Sequence, residues 1–199
     1  MVVAHYQEDL GWVDDALAAF PDLRVYAYHK STPRHHQNPC VHHETLPNVG
    51  RESHTYLHHI LSHYDALDDF TFFTQGNPFD HRCRDEVFNA YLTSTAAIHP
   101  VAQPHMIFPD WKVTEAGWNA LDSGGTFGDW WQRCFQEPMP IFPNGGPKVM
   151  WNGLFVVRRD RILSRPKAFY ERLIRTVDHD VNPEEGHFME RAWGNIFMG

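Results

Sequence analysis

The sequence has too few cysteines, spaced too widely, for a disulfide framework or a zinc knuckle. Cys40, Cys83 and Cys134 include no C-x-x-C pair. No apolar run approaches the roughly 20 residues that a transmembrane helix needs. The first residues also lack the basic flank and long apolar core of a secretory signal. These absences predict a soluble, cytoplasmic protein with reduced thiols and no membrane partner.

Positive charge is also in short supply. The chain has 17 basic and 25 acidic residues, for a formal net charge of -8, so no global attraction draws it to nucleic acid or anionic membranes. Three familiar motifs are missing: the G-x-x-x-x-G-K-S/T phosphate loop, the G-x-G-x-x-G dinucleotide turn and the G-x-S-x-G nucleophile elbow. Nucleotide hydrolysis by a P-loop, NAD chemistry and serine hydrolysis are therefore disfavoured.

The sequence does contain the alternation of an α/β fold. Its 199 residues, 42% of them hydrophobic, are enough for one sizeable core, and we expect a single domain spanning 1–199. Periodicity predicts strands at 2–6, 23–28, 70–74 and 151–157, and helices at 9–20, 51–64, 85–92, 127–135 and 166–177. This order predicts a mostly parallel central sheet flanked by helices.

Two stretches are predicted to be irregular. Residues 29–49 contain three prolines and no helical periodicity, which is typical of a surface loop. Residues 99–150 are rich in proline and glycine, with one predicted helix at 127–135. Because long loops in compact domains are usually functional, we expect this second stretch to cover the active edge of the sheet.

The last helix has clear start signals. Asn182 is a good N-cap, Pro183 suits the first helical position, and Glu184 and Glu185 place negative charge in the first turn. Both carboxylates are also candidates for the site. We assign Glu184 to substrate binding and Glu185 to catalysis, as a general base whose pKa rises if it lies in a dry crevice.

Two further segments predict a binding crevice. Arg51 and Glu52 begin a helix, where backbone N–H groups favour an anion and a guanidinium adds bidentate contacts; a local Arg–Glu ion pair or cap is the alternative. Gln75 and Gly76 follow a predicted strand, at the edge where open α/β sheets usually bind ligands. Asp80 and His81 lie a few residues further along the same segment.

Asp80 is the second candidate catalytic residue, since its carboxylate suits a metal, a ribose hydroxyl or a basic substrate. His81 is assigned to substrate binding. Asn152 and Gly153 allow a ligand to approach the backbone closely, or else form a bulge where a strand begins.

The helix at 51–64 also carries paired histidines. His54 and His58, like His59 and His63, are four residues apart, which is a spacing that can bind a metal. There is no H-E-x-x-H motif and no third ligand at a recognisable offset, so hydrogen-bonded histidines are favoured. We expect no metal or other cofactor, and we assign His54 to substrate binding.

Several segments together resemble an uncharacterised domain family that is common in fungi and in some algae and bacteria. They are Gly50-Arg51-Glu52-x-His54-Thr55-Tyr56-Leu57-His58-His59-Ile60, Gln75-Gly76-x-Pro78-Phe79-Asp80-His81, Gly153-x-Phe155-x-Val157 and Asn182-Pro183-Glu184-Glu185-Gly186-His187. The resemblance spans nearly the whole chain. It implies a relation to glycosyltransferases of the GT-A fold, a Rossmann-like architecture that binds nucleotide sugars.

One departure bears on the activity that this resemblance implies. GT-A enzymes commonly carry Asp-x-Asp after a core strand, where it holds a divalent metal, whereas here the strand leads into Gln75-Gly76-Asn77-Pro78-Phe79-Asp80. We therefore expect metal-independent group transfer from a nucleotide-linked donor. In this hypothesis Arg51 and helix N–H groups bind phosphate, Gln75 and Asp80 contact the donor, and Glu185 is the base.

Two alternatives remain open. The chain is similar in size to arginine-using cyclodipeptide synthases, which consume aminoacyl-tRNA, and Asp80 or Glu185 suits an arginyl guanidinium. Transfer RNA is a partner only in that case. A non-catalytic carbohydrate- or peptide-binding module is the other alternative, supported by the aromatic content and by the lack of a compelling nucleophile.

Overall fold

A six-stranded sheet organises the computed structural model, which describes residues 1–31, 38–79, 85–99, 103–104, 106–113, 118–142 and 146–198. Its strands are β1 Val2–His5, β2 Val25–His29, β3 Val41–Thr45, β4 Phe70–Gln75, β5 Ile98–His99 and β8 Phe155–Arg158. Their order is β3-β2-β1-β4-β8-β5. The first four of these strands are mutually parallel, β8 runs antiparallel to β4, and β5 runs antiparallel to β8. The predicted α/β fold with a mostly parallel sheet is confirmed.

Helices cover both faces of the sheet. They are α1 Gly11–Ala19, α2 Arg51–Ser62, α3 Asp85–Leu92, α4 Phe127–Phe135, α5 Arg159–Leu163, α6 Lys167–Ile174 and α7 Glu184–Met198. A separate ribbon pairs β6 Gln103–Pro104 with β7 Lys148–Val149. None of the helices in the described ranges is both long and apolar enough to cross a membrane.

Alternation along the strands divides the apolar residues between two cores. In β1, Val2 joins a core built with α2, α4, α6 and α7, whereas Val3 joins a second core built with α1 and α3. Phe73 and Phe72 of β4 divide in the same way. Successive side chains of a strand point to opposite faces, so the central strands are apolar on both sides, as expected for a parallel sheet between helical layers.

Two sequence predictions about strands are wrong. The predicted loop 29–49 contains β3. This strand lies at the edge of the sheet and its central residues, His42, His43 and Glu44, are polar, so its sequence lacks the apolar pattern of a strand. The strand predicted at 151–157 begins only at Phe155. Residues 151–153 form a short 3-10 turn instead, in which Asn152 has a φ of 64° that no strand residue adopts.

The start of α7 also differs from the sequence prediction. The helix begins at Glu184, directly after Pro183. The Asn182 side chain donates to the carbonyl oxygen of Trp118 at 2.6 Å, and its Oδ1 lies 3.2 Å from Nε2 of His187. Asn182 therefore connects the approach to α7 with the long segment that precedes α4.

Candidate functional site

Two cavities lie beside the tip of α2 and share Arg51 as a lining residue. The small cavity has a volume of about 150 Å³ and is lined by Ala4, His5, Tyr6, Glu8, Lys30, Asn48, Arg51, Glu52 and Gln75. The large cavity has a volume of about 440 Å³ and is lined by Arg51, Trp118, Val181, Asn182, His187 and Glu190. The structure thus brings together the helix tip and the carboxyl end of β4, the two places that the sequence singles out.

The tip of α2 has an unusual backbone. Gly50 has a φ of 61° and Arg51 a φ of 48°, so both residues are left-handed where the helix begins. The N–H of Gly50 donates to the Asp180 carbonyl at 2.7 Å, and that of Arg51 donates to the Val181 carbonyl at 3.3 Å. These two N–H groups are therefore engaged within the protein. A non-glycine residue in this conformation is uncommon, and such residues cluster at functional sites.

The guanidinium of Arg51 lies beside a neutral histidine. Its Nη1 is 3.3 Å from both ring nitrogens of His187, and its Nε is 3.7 Å from Oε2 of Glu52. Burial, followed by the nearby Arg51 and Arg191 charges, lowers the pKa of His187 to about 4. The His187 ring stacks on Trp118 with a centroid separation of 4.9 Å. The Arg51 side chain remains 40% exposed, so it can still donate to a ligand.

The small cavity holds charges of both signs. Lys30 is buried, its Nζ donates to the carbonyls of Val49 and Arg51, and burial lowers its pKa to about 8. Glu8 accepts from the N–H groups of Tyr6 at 2.7 Å and Gln7 at 3.1 Å. No sequence motif pointed to Lys30 or Glu8. Lys30 directly follows β2 and Glu8 lies three residues after β1, so the strand-end rule that selected Gln75 applies to both of them.

Gln75 and Asn152 belong to a hydrogen-bonded chain between β4 and α7. Gln75 Nε2 donates to the Asn152 carbonyl at 2.9 Å, and the Asn152 N–H donates to Oε1 of Glu190 at 2.9 Å. Arg191 Nη1 then donates to Oε2 of Glu190 at 2.7 Å. Gln75 thus lines the small cavity, while the same chain positions Glu190 in the large one.

The space beside each of the two glycines of the predicted site is occupied by a side chain of the protein. A Cβ added at Gly153, which has a φ of 63°, would lie 3.0 Å from Cγ of Glu52. The Gly153 carbonyl also accepts from the Tyr56 hydroxyl at 2.8 Å. At Gly76 a Cβ would lie 2.4 Å from the Glu8 carboxylate. The close backbone approaches that these glycines allow are therefore to Glu52 and Glu8.

Neither glutamate at the start of α7 lies in the crevice. Glu184 is buried and accepts from the Val113 N–H at 2.7 Å, the Ser123 N–H at 3.1 Å and the Ser123 hydroxyl at 2.7 Å. Glu185 is also buried, and burial raises the pKa of its carboxyl, as the sequence hypothesis requires. However, the Glu185 carboxylate is directed toward His179, with Oε2 3.9 Å from its Nε2. Glu185 is not one of the described residues that line the two cavities.

The remaining sequence candidates divide into buried and undescribed residues. Burial, with Lys30 and His58 adding to it, lowers the pKa of His54 to about 4, and His54 lines neither of the two cavities. Asp80 and His81 lie outside the described residues. Within the described part of the chain, no group of three or more His, Cys, Asp or Glu side chains is placed to hold a metal ion.

A buried arginine fixes one wall of the large cavity. The Arg191 guanidinium carbon lies 4.5 Å from the ring centroid of Trp111, 5.2 Å from that of Trp118 and 5.4 Å from that of Trp151. Its Nη1 also donates to the His187 carbonyl at 3.0 Å. Cation–π contacts of a desolvated guanidinium are worth about 2 kcal/mol. Arg191 therefore holds Trp118 in place, although no sequence motif indicates this role.

Replacing Glu184 by glutamine should loosen the segments 106–113 and 118–126. The amide has one acceptor oxygen where the carboxylate uses two, so one half-buried donor loses its partner, at a cost of about 1–3 kcal/mol. Denaturant unfolding measures this loss, and hydrogen exchange should speed up in the described parts of 106–126. The exposed Glu171 on α6 provides the control, Glu171→Gln. Equal stability and exchange in the two variants would contradict the anchoring role.

Comparison with known proteins relates part of the chain to a protein family. No curated protein and no solved structure matches the chain significantly. The part of the chain that matches a family profile contains strands β1 to β5 and helix α2, and it includes both Arg51 and Gln75. Residues 1–99 match the profile of an uncharacterised family described as "Protein of unknown function (DUF3431)".

Proposed function

We propose that this chain transfers a glycosyl group from a nucleotide-linked sugar, without a metal ion, in the crevice that the two cavities form around Arg51. The observation that carries the proposal is that Arg51 lines both cavities and keeps 40% of its side chain exposed. A donor of this kind has a diphosphate between a planar base and a sugar. An arginine between two cavities matches that order of groups.

The charges at Arg51 suit a diphosphate. A guanidinium binds phosphate oxygens through two parallel hydrogen bonds, and such charge-assisted bonds are the strong ones in proteins. Lys30 supplies a second positive group at the small cavity. Because His187 is neutral, it adds no competing positive charge and can accept a hydrogen bond from Arg51. These groups can stabilise the negative charge that develops on a departing diphosphate.

The large cavity suits the nucleoside. Trp118 and the stacked His187 give it an aromatic wall, and Asn182 and Glu190 supply polar atoms for base edges or ribose hydroxyls. Ligand sites commonly combine apolar or aromatic walls with a small number of placed polar groups. We therefore assign the nucleoside to this cavity and the transferred sugar to the small one.

Transfer then needs a base at the small cavity, and Glu52 is the residue that we assign to it. The acceptor hydroxyl oxygen bonds to the anomeric carbon while the bond from that carbon to the phosphate oxygen breaks. The electron pair of the broken bond leaves with the nucleoside diphosphate, which Arg51 holds. The hydroxyl proton passes to the Glu52 carboxylate. Glu52 replaces Glu185 in this role because Glu52 lines the small cavity.

Thermal shift and calorimetric titration with uridine, guanosine and cytidine diphosphate sugars test the proposal. At least one donor should raise the melting temperature of the wild-type protein. In Arg51→Met its affinity should fall about 10- to 100-fold, the equivalent of a charge-assisted hydrogen bond worth about 1.5–3 kcal/mol. Arg24→Met is the matched control, because Arg24 pairs with Asp68 and lines neither cavity.

Three outcomes have distinct meanings. Silence across all the donors contradicts nucleotide-sugar binding. Equal affinity of the wild-type protein and Arg51→Met contradicts the placement of the diphosphate. Binding without release of nucleoside diphosphate, across a panel of sugar and peptide acceptors, favours the non-catalytic binding module instead.

A further inference from the structure

The large cavity contains charges of both signs. Among the described residues that line it, Arg51 is positive and Glu190 is negative, while burial lowers the pKa of His187 to about 4 and keeps that ring neutral. A diphosphate is attracted by the guanidinium and repelled by the carboxylate. The part of the cavity at Glu190 therefore suits a ligand group that donates hydrogen bonds.

The Glu190 carboxylate is held in one orientation. Its Oε1 accepts from the N–H of Asn152 at 2.9 Å, and its Oε2 accepts from Nη1 of Arg191 at 2.7 Å. A carboxylate oxygen can accept two hydrogen bonds, so within the described part of the chain each oxygen retains one acceptor position beyond these contacts. The side chain is 20% exposed and lines the cavity, so a ligand can reach the carboxylate.

Arg191 connects this carboxylate to the aromatic wall of the cavity. The guanidinium carbon of Arg191 lies 5.2 Å from the ring centroid of Trp118, a lining residue, while Nη1 of the same guanidinium binds Glu190. A planar base that packs against Trp118 would therefore present an edge to the carboxylate. This placement favours the base over the ribose as the partner of Glu190.

Two acceptor oxygens side by side distinguish between the bases. Guanine has a ring N1–H group next to an exocyclic amino group, and these two donors match the two oxygens of one carboxylate. Uracil has its N–H group between two carbonyl oxygens, and cytosine and adenine each have an amino group next to a ring nitrogen that only accepts. In these three bases an acceptor would face one carboxylate oxygen, which is unfavourable because neither atom supplies a proton.

We propose that Glu190 selects guanine, so that the sugar is carried by guanosine diphosphate. The N1–H and amino groups of guanine donate to the two carboxylate oxygens of Glu190, and the diphosphate lies at Arg51. Asn152 and Arg191 hold the carboxylate in place from the protein side. This inference rests on the proposed function, because it names the nucleotide that the same crevice binds.

Calorimetric titration of the wild-type protein with guanosine, inosine, uridine, cytidine and adenosine diphosphates tests the proposal. Guanosine diphosphate should bind about 10- to 100-fold more tightly than the uridine, cytidine and adenosine compounds, as expected for a bidentate contact to a base. Inosine diphosphate keeps N1–H but lacks the amino group, so its affinity should fall between these values. The 2'-deoxy form of guanosine diphosphate should bind about as tightly as the ribose form.

This series separates failure of the inference from failure of the proposed function. Equal affinity for all the bases, or tighter binding of another base, would overturn guanine selection and leave nucleotide binding in place. Weaker binding of the 2'-deoxy form, with little dependence on the base, would assign Glu190 to the ribose and would also overturn the proposal. Silence with every compound would contradict the proposed function as well.

Glu190→Gln tests the carboxylate itself. Glutamine presents one acceptor and one donor to the cavity, so the preference for guanosine over uridine diphosphate should fall about 10-fold or more. Glu171→Gln, at an exposed position of α6, is the matched control and should keep the preference. Circular dichroism shows whether Glu190→Gln is folded, and the wild-type series decides the question if it is not. An unchanged preference in the folded variant contradicts the role of Glu190.

Discussion

Lowering the pH from about 7.5 to about 5.5 is expected to reduce the free energy of unfolding by about 4 kcal/mol. Three buried histidines cause this loss. Burial is the main reason that the pKa falls to about 4 in His54 and His187 and to about 2 in His59. The folded protein therefore keeps all three rings neutral over this pH range.

The sign follows from the difference between the folded and unfolded chains. An unfolded histidine titrates near 6.5, so below that pH the unfolded chain binds a proton that the folded chain does not. Each ring then lowers stability by about 1.4 kcal/mol per pH unit until the pH reaches its folded pKa. Their contribution is complete above about pH 6.5 and is lost as the pH falls. Glu185 acts in the opposite direction, because its raised pKa favours proton binding by the folded chain.

Denaturant unfolding across this pH range measures the effect. His59→Gln should reduce the pH dependence by about a third, because one of the three buried rings no longer titrates. His42→Gln is the control, since His42 is exposed. Stability that stays constant from about pH 7.5 to about pH 5.5 would show that these rings are not buried as described.

Replacing Gly50 by alanine is expected to destabilise the protein by on the order of 3 kcal/mol. Gly50 has a φ of 61°, in the left-handed region where a Cβ is unfavourable by about 1–2 kcal/mol. The added Cβ would also lie 2.3 Å from the Val177 carbonyl oxygen and 2.8 Å from Cβ of His54. Either the tip of α2 or the segment around Val177, which follows α6, would have to move, and Arg51 would move with that tip.

Gly124→Ala is a matched control for this prediction. Gly124 has a φ of 73°, but no atom lies within 4 Å of a Cβ added there. Only the backbone term applies, so the expected loss is about 1 kcal/mol. Chemical denaturation of both variants gives the comparison, and nucleotide-sugar affinity should fall in Gly50→Ala alone. Similar losses in the two variants would mean that the packing around Gly50 is looser than the structure shows.

Periodicity predicted most of the fold because apolar residues recur where they must be buried. The pattern of α2, with Leu57 and Ile60 in the main core, and the apolar run of β4 both gave the correct elements. The edge strand β3 was not predicted, because its exposed histidines do not alternate with apolar residues. The late start of β8 was not predicted either. It follows from the positive φ of Asn152, whose backbone bonds to Gln75 and Glu190, and such tertiary contacts leave no local pattern in the sequence.

The candidate site was predictable only where it follows strand ends and helix starts. Arg51 and Gln75 meet at the small cavity for that reason. Glu184 and Glu185 could not be assigned from sequence, because an acidic pair in a first turn suits both a ligand and an internal anchor. The direction in which each carboxylate points depends on tertiary packing of α7, which places Glu184 against residues 113 and 123 and Glu185 against His179.

A crystal structure of the wild-type protein with its tightest-binding nucleoside diphosphate sugar tests the central claim most directly. We predict diphosphate oxygens within hydrogen-bond distance of the Arg51 guanidinium, the base against Trp118 in the large cavity, and the sugar in the small cavity beside Glu52. A nucleotide bound at another surface, with Arg51 still paired to His187 and Glu52, would contradict the account.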